Sequence, residues 1–160
     1  SFVDNHDVSR VASILENKKH LPLVYALMFG MPGIPCVYYG SEWGTRGEKK
    51  DGDPGLRPCF TKPVENGMTG WVSLLASAKK KSKALTYGTF KTLVLTNHQC
   101  VFERAVDGER VLVAINASEQ SFEARFQTAE TKCVDLVSGE EVEIHSGLRL
   151  PGYCAYFLQA

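Results

Sequence analysis

The sequence predicts an α/β unit followed by an all-β domain, and three observations carry that prediction. Two short β-prone runs, Phe2-Val3 and Ile34–Tyr39, bracket one segment of helical periodicity. Loop formers then dominate Gly40–Gly70. After Leu85, strand-like runs recur about every ten residues with turn signals between them, the pattern of an antiparallel β-sandwich. The boundary falls near Lys83–Gly88, dividing the chain into residues 1–85 and 86–160.

Phe2-Val3 ends in four polar or ionisable residues, Asp4-Asn5-His6-Asp7, and Ser9 stands before an apolar-periodic segment. Such residues, where a strand stops and a helical connection begins, are what an α/β barrel places at its active-site face. Asx and Ser residues also cap helices and make tight turns, so on pattern alone capping and chemistry stand level. Val11, Ile14 and Leu15 fit a helical turn within Ser9–Leu15, and Glu16-Asn17-Lys18-Lys19 a solvated connector. Leu23, Val24, Leu27 and Met28, with Pro22 suited to a first turn, predict a helix over Leu21–Phe29, stopped by Gly30 and Pro32-Gly33. Ile34–Tyr39 is too short for a helix and fits a buried parallel strand, completing a βαβ unit. Gly40–Gly70 is a loop of the length that is usually functional or partly disordered. Trp71–Ala76 opens a second helix, and the lysines of Lys79-Lys80-Lys81-Ser82-Lys83 suit its dipole better than a nucleic-acid patch. Strands are expected at Thr92–Leu95, Val101–Ala105, Val111–Ile115, Phe122–Phe126, Cys133–Leu136 and Tyr153–Leu158. Asp107-Gly108 reads as a hairpin turn and Ser138-Gly139 as another turn.

Composition narrows the function classes. The 160 residues are 44% apolar with a formal net charge of zero, which gives no electrostatic case for nucleic acid or anionic membranes. No apolar run approaches the roughly 18 residues of a membrane span, and the start lacks the pattern of a signal peptide. Cys36, Cys59, Cys100, Cys133 and Cys154 form no C-x-x-C pair and no zinc-like spacing. Their odd number points to buried free thiols and a cytoplasmic setting. No G-x-S-x-G elbow, P-loop or G-x-G-x-x-G is present, and no cofactor is implied.

Phe2-Val3-Asp4-Asn5-His6-Asp7 resembles the strand-seven motif F-x-x-N-H-D of the α-amylase family, glycoside hydrolase family 13. Met31-Pro32-Gly33-Ile34-Pro35-Cys36-Val37-Tyr38-Tyr39-Gly40-Ser41-Glu42 resembles the family's strand eight, G-I-P-x-x-Y-Y-G followed by an acidic residue. The motifs stand in family order, one helix-length apart. The similarity is close over the first half of the chain and general in the second. It implies the last two βα units of a (β/α)8 barrel, followed by the family's β-sandwich. A complete barrel takes about 250 residues. The resemblance therefore implies a chain that begins at the seventh strand, as the C-terminal portion of a longer protein. The N-terminal part of the barrel, with the nucleophile and acid of strands four and five, would lie outside it.

A retaining glycosidase needs a carboxylate nucleophile, a carboxylic acid and groups that favour an oxocarbenium-like transition state. By resemblance the chain carries only the third carboxylate, Asp7, which stabilises that transition state, and His6, which binds the same sugar. The resemblance implies an α-glucan or maltooligosaccharide as substrate. Asn5 belongs to the motif, though an amide there also pins a loop. Arg10 pairs with Asp7, lines the site or makes a surface ion pair. Tyr39 and Glu42 end the second strand at the border of the cleft, and pleat alternation sends Tyr38 and Tyr39 to opposite sides. Trp43 is a sugar platform or a packed loop residue. Asp51–Pro58 resembles the family segment that places an Asp and an Arg near the non-reducing end of the substrate, here Asp53 and Arg57. Asp51 and Asp53 lack the further oxygen ligands of a calcium loop, so no metal site is expected.

The chain alone is expected to be inactive. Its open strand edges invite a dimer or a rearrangement of the first 80 residues or so. Two other readings stand beside this one. Amylase-like barrels also serve as non-catalytic partner subunits of amino-acid transporters, and the β half could act as a carbohydrate-binding module.

Overall fold

The first forty residues run as an extended segment, a short helix, a long helix and a second extended segment. In the computed structural model, which describes residues 1–159, the helices are α1 (Val11–Ile14) and α2 (His20–Gly30). Leu23, Tyr25, Ala26, Met28 and Phe29 of α2 are all buried, as in a helix with protein on most of its circumference. The two extended segments meet side by side. The Ser1 amino group donates to Ile34 O at 2.8 Å, and Cys36 N–H donates to Ser1 O at 2.8 Å, the offset of a parallel pair. Neither Phe2-Val3 nor Ile34–Tyr39 forms regular strand. Ser41 N–H turns back to Tyr38 O, and Gly40 at φ 84° bends the chain away before a second bridge forms.

The Gly- and Pro-rich stretch holds more structure than its composition suggested. It contains 3₁₀ turns at Ser41–Trp43 and Lys49–Asp51 and a short helix, α3 (Gly52–Leu56). The next helix, α4 (Gly67–Lys81), begins four residues before Trp71 because Asn66 caps it: the Asn66 side chain accepts from Met68 and Thr69 N–H, and Thr69 Oγ1 accepts from Asn66 N–H. After Ser82 the chain makes α5 (Lys83–Tyr87) and turns into sheet.

Eight strands follow: β1 (Thr89–Leu95), β2 (Gln99–Val106), β3 (Glu109–Asn116), β4 (Phe122–Ala124), β5 (Lys132–Asp135), β6 (Glu141–Glu143), β7 (Leu148–Leu150) and β8 (Cys154–Gln159). They form a six-stranded antiparallel sheet in the order β1-β2-β3-β8-β5-β6 and a two-stranded sheet β4-β7. Asp107 (φ 49°) and Gly108 (φ 81°) make the β2–β3 hairpin, as the Asp-Gly pair predicts. Strands β6 and β7 have no counterpart in the sequence reading; Glu141-Val142-Glu143 carries only one apolar residue.

The six-stranded sheet is the middle layer. Phe102, Val111, Val113, Ile115 and Phe157 face α2, α4 and α5, while Val101, Leu112, Ala114 and Leu158 face Ala124, Leu148 and Leu150 of the small sheet. This explains why Val111–Ile115 reads as a continuous apolar run: both of its faces are covered. Two cations fasten the helical layer to the sheet. Lys79 is turned inward rather than lying along its helix end, and its Nζ donates to Phe29, Met31 and Leu85 carbonyls, each at 3.0 Å. Arg104 on β2 donates to Gly30 O at 2.8 Å, Gly88 O at 2.9 Å and Thr89 O at 3.0 Å. No helix is long and apolar enough to cross a membrane among the described residues. All five cysteines are free, but only Cys133 is fully buried; Cys36 and Cys59 are exposed, against the expectation of buried thiols.

Candidate active site

The polar motif divides between burial and exposure. Asp4 is buried, and its carboxylate accepts from Val11 N–H at 2.9 Å and from Ser41 Oγ at 2.8 and 3.0 Å. It therefore does for the start of α1 what a capping residue does, reaching back across the loop. Asn5 Oδ1 accepts from Asp7 N–H at 2.8 Å, an Asx turn that fixes the backbone between them. His6 and Asp7 are left in the open, with side chains 50% and 65% exposed and His6 Nε2 3.0 Å from Asp7 Oδ2. Asp7 therefore caps no helix, and His6 is not a core histidine.

The long loop returns to this point. Arg57, at the end of α3, places Nη2 3.9 Å from Asp7 Oδ1 and Nε 3.8 Å from Asp53 on the preceding helical turn. His6, Asp7, Asp53 and Arg57 thus share one exposed surface, although Asp7 and Arg57 stand fifty positions apart in the chain. Tyr39 stands at its edge, its hydroxyl donating to Pro58 O at 3.1 Å. The Tyr38 and Tyr39 rings touch, 4.8 Å apart and edge to face, because the segment is not the regular strand that would have sent them to opposite sides. The Tyr38 ring also lies 6.5 Å from His6.

Arg10, Glu42 and Trp43 lie elsewhere. Arg10 is wholly buried, which rules out the surface ion pair. Its Nη1 donates to Tyr39 O at 2.6 Å and Ser41 Oγ at 3.0 Å, its Nη2 donates to Leu56 O at 2.8 Å, and the guanidinium lies 4.1 Å over the Tyr38 ring. Glu42 is half-buried with one carboxylate oxygen inside. Tyr25 lies beneath the motif, its phenol pushed well above the usual range by burial first and then by the Asp4 carboxylate. Trp43 packs edge to face on Phe60 at 4.8 Å, a loop-packing role. Asp4 and Ser41 hold the motif from behind through their mutual hydrogen bonds, a contact across 37 positions that the sequence does not show. Among the described residues, no group of three or more His, Cys, Asp or Glu side chains is placed to hold a metal ion.

Such a surface presents two carboxylates, an imidazole and a guanidinium as hydrogen-bonding groups, with aromatic rings alongside. Comparison with known proteins gives it context. The family model described as "Alpha amylase, catalytic domain" matches residues 1–86, and "Maltogenic Amylase, C-terminal domain" matches residues 90–157. A cyclomaltodextrin glucanotransferase of Paenibacillus macerans is 31% identical over 123 residues, covering 76% of this chain and 17% of that protein. An α-amylase of Niallia circulans is 31% identical over 118 residues, covering 72% of this chain and 22% of its own length. The chain thus spans about a fifth of such relatives. In fold it is similar to the α-amylase of Geobacillus thermoleovorans solved with acarbose, with a TM-score of 0.89 at 22% identity over 99% of this chain and 38% of that one.

Proposed function

Since this chain belongs to the α-amylase family, glycoside hydrolase family 13, we propose that it forms the end of the catalytic barrel and the β-domain after it in an enzyme that cleaves or transfers α-glucosidic bonds of α-glucans with retention. The barrel end would contribute Asp7 and His6 to the sugar at the cleavage point. The nucleophile and the general acid would come from barrel strands outside these 160 residues. Asp7 accepts hydrogen bonds from ring hydroxyls and favours the distorted, cation-like sugar, and His6 donates to the same residue. Asp53 and Arg57 bind further along the glucan, and Tyr39 borders that wall. Asn5 holds Asp7 in place through the Asx turn.

One observation carries this reading. Asp4, not Asp7, caps the helix, so the Asp7 carboxylate stays exposed, its side-chain partners among the described residues being the equally exposed His6 at 3.0 Å and Arg57 at 3.9 Å. A preorganised contact of this kind is worth about 3 kcal/mol when it strengthens in the transition state, close to a hundredfold in rate. The exposed Phe2 and Ile34 flank the single parallel bridge, and the rest of the barrel, or a second copy, would seat there. The 160-residue chain by itself would be inactive.

The test uses the full-length protein that contains this sequence, with p-nitrophenyl maltoside and maltotriose as substrates. Asp7→Asn should lower kcat by two or more orders of magnitude with the thermal melt unchanged. Turnover equal to wild type in a folded Asp7→Asn protein refutes the assignment, and glucan hydrolysis by the isolated chain refutes the division of catalytic groups.

A further inference from the structure

We propose that Arg10 is a positioning residue: its buried guanidinium sets how closely Arg57 approaches Asp7, and so the width of the substrate site on that side. The inference rests on the reading of Asp7 and Arg57 as substrate-contacting groups.

Arg10 sits where three segments converge. Its backbone N–H donates to Gly47 O at 2.8 Å, strapping the long loop to the start of α1. Gly47 N–H donates to Ser13 Oγ and Lys49 N–H to Ser9 Oγ, each at 2.9 Å, completing the strap. None of these reaches the end of α3. The Nη2 bond to Leu56 O does, and Leu56 is the residue before Arg57. Among the described residues it is the one hydrogen bond from Ser1–Gly30 to that end of α3. The Asp7–Arg57 contact, at 3.9 Å between two exposed side chains, is too long and too solvated to hold the segment by itself.

The other arm of the fork works on the neighbouring wall. Nη1 holds Tyr39 O and Ser41 Oγ, and Ser41 Oγ in turn donates to the Asp4 carboxylate that caps α1. The Tyr39 hydroxyl meets Pro58 O on the far side of Arg57. One planar group therefore fixes the segments before, beside and after the Asp7–Arg57 pair while touching neither side chain. The geometry needs a fork with two separately aimed nitrogens; a lysine ammonium keeps the charge but offers one point.

A purely structural role and a positioning role both lower stability when Arg10 changes, so melting does not separate them. A double-mutant cycle does. In the full-length protein, kcat/KM for maltoheptaose consumption is measured for Arg10→Lys, Arg57→Ala, the double variant and Asp7→Asn, at a temperature where each is folded. If Arg10 acts through Arg57, each single variant loses about tenfold and the double loses no more than Arg57→Ala alone. Multiplied losses, about a hundredfold in the double, overturn the inference while leaving the substrate site intact. Unchanged kcat/KM in both Asp7→Asn and Arg57→Ala overturns the substrate-site reading, and the inference falls with it. Should Arg10→Lys fail to fold, Ser41→Ala takes its place in the cycle. It removes one of the two Nη1 acceptors and leaves the guanidinium itself in place, with the same non-additivity expected and the same refutation.

Discussion

Lys79 offers a quantitative test of how the helical layer is joined to the sheet. The residue is 7% exposed, and its ammonium faces three carbonyls and, among the described residues, no carboxylate. Burial, and after it the neighbouring Arg104, lowers its pKa from the usual 10.5 to about 8. Between those two values the unfolded chain still holds the proton and the folded chain has released it. Stability contributed by this group therefore rises with pH through that window. From pH 7 to pH 9 the rise works out to about 1.3 kcal/mol, at 1.36 kcal/mol per unit of pKa difference. The wild-type curve alone would blur it. Burial raises the Cys100, Cys133 and Cys154 thiols, the last to about 11, and each contributes a falling term once unfolded thiols ionise near pH 9. Lys79→Met keeps the length of the side chain and removes the titration, so the wild-type minus variant difference isolates it. Urea unfolding at pH 7, 8 and 9 with reductant present should show that difference growing. With an m-value of about 2 kcal/mol/M the midpoints should separate by a further ~0.6 M over this range. A difference that stays flat from pH 7 to 9 would refute the reasoning: the three carbonyls would then be holding the ammonium charged in spite of its burial.

Two further perturbations probe other joints. A Cβ at Gly47 would lie 2.1 Å from Gly55 O, a backbone atom with no way to yield cheaply. Gly47→Ala should therefore destabilise by about 1–3 kcal/mol in thermal or urea melts, as overpacking does, and a neutral melt would show that the α3 segment is not held there. In the β-domain, a hydrogen bond from the Thr128 hydroxyl and then the Arg110 guanidinium hold Glu130 down from 4.5 to about 2. Its stabilising contribution is complete above pH 4.5 and is lost as pH falls towards 2. Glu130→Gln should flatten the acid limb of the stability curve, and parallel acid limbs in the two proteins would contradict the assignment.

Much of the architecture was legible because its signals are local. Asp107-Gly108 specified the β2–β3 hairpin through two positive φ angles, and the apolar spacing from Leu23 to Met28 placed α2. What escaped depends on contacts between distant residues. Strand β6 has a single apolar residue, Val142, and is strand because it pairs with β5. The helix at Gly52–Leu56 has Gly and Pro where a helix reading expects neither, and it is held through Arg10 and the close approach of Gly47 to Gly55. The start of α4 was missed for the opposite reason: Asn66 and Thr69 form a local capping box, but Gly67 and Gly70 hide it in a run of loop formers. At the site, the motif singled out His6 and Asp7 as candidates, while the burial of Arg10 could not be read from its neighbours in sequence.

Why one of two nearby carboxylates is buried and the other exposed follows from what each can be given. A buried carboxylate must be matched by donors, and Asp4 is: Val11 N–H, the Ser41 hydroxyl, and Arg10 one bond further on through that same hydroxyl. The Asx turn made by Asn5 then orients Asp7 outward, where the donors within reach are an exposed histidine and a distant arginine. That arrangement leaves the second carboxylate exposed, with hydrogen-bonding capacity the fold itself does not use up. Exchanging the two would bury a carboxylate without partners and leave α1 uncapped. The Asp4-to-Asp7 spacing is therefore one device with two parts, a carboxylate that completes the fold and one that the completed fold holds out to solvent.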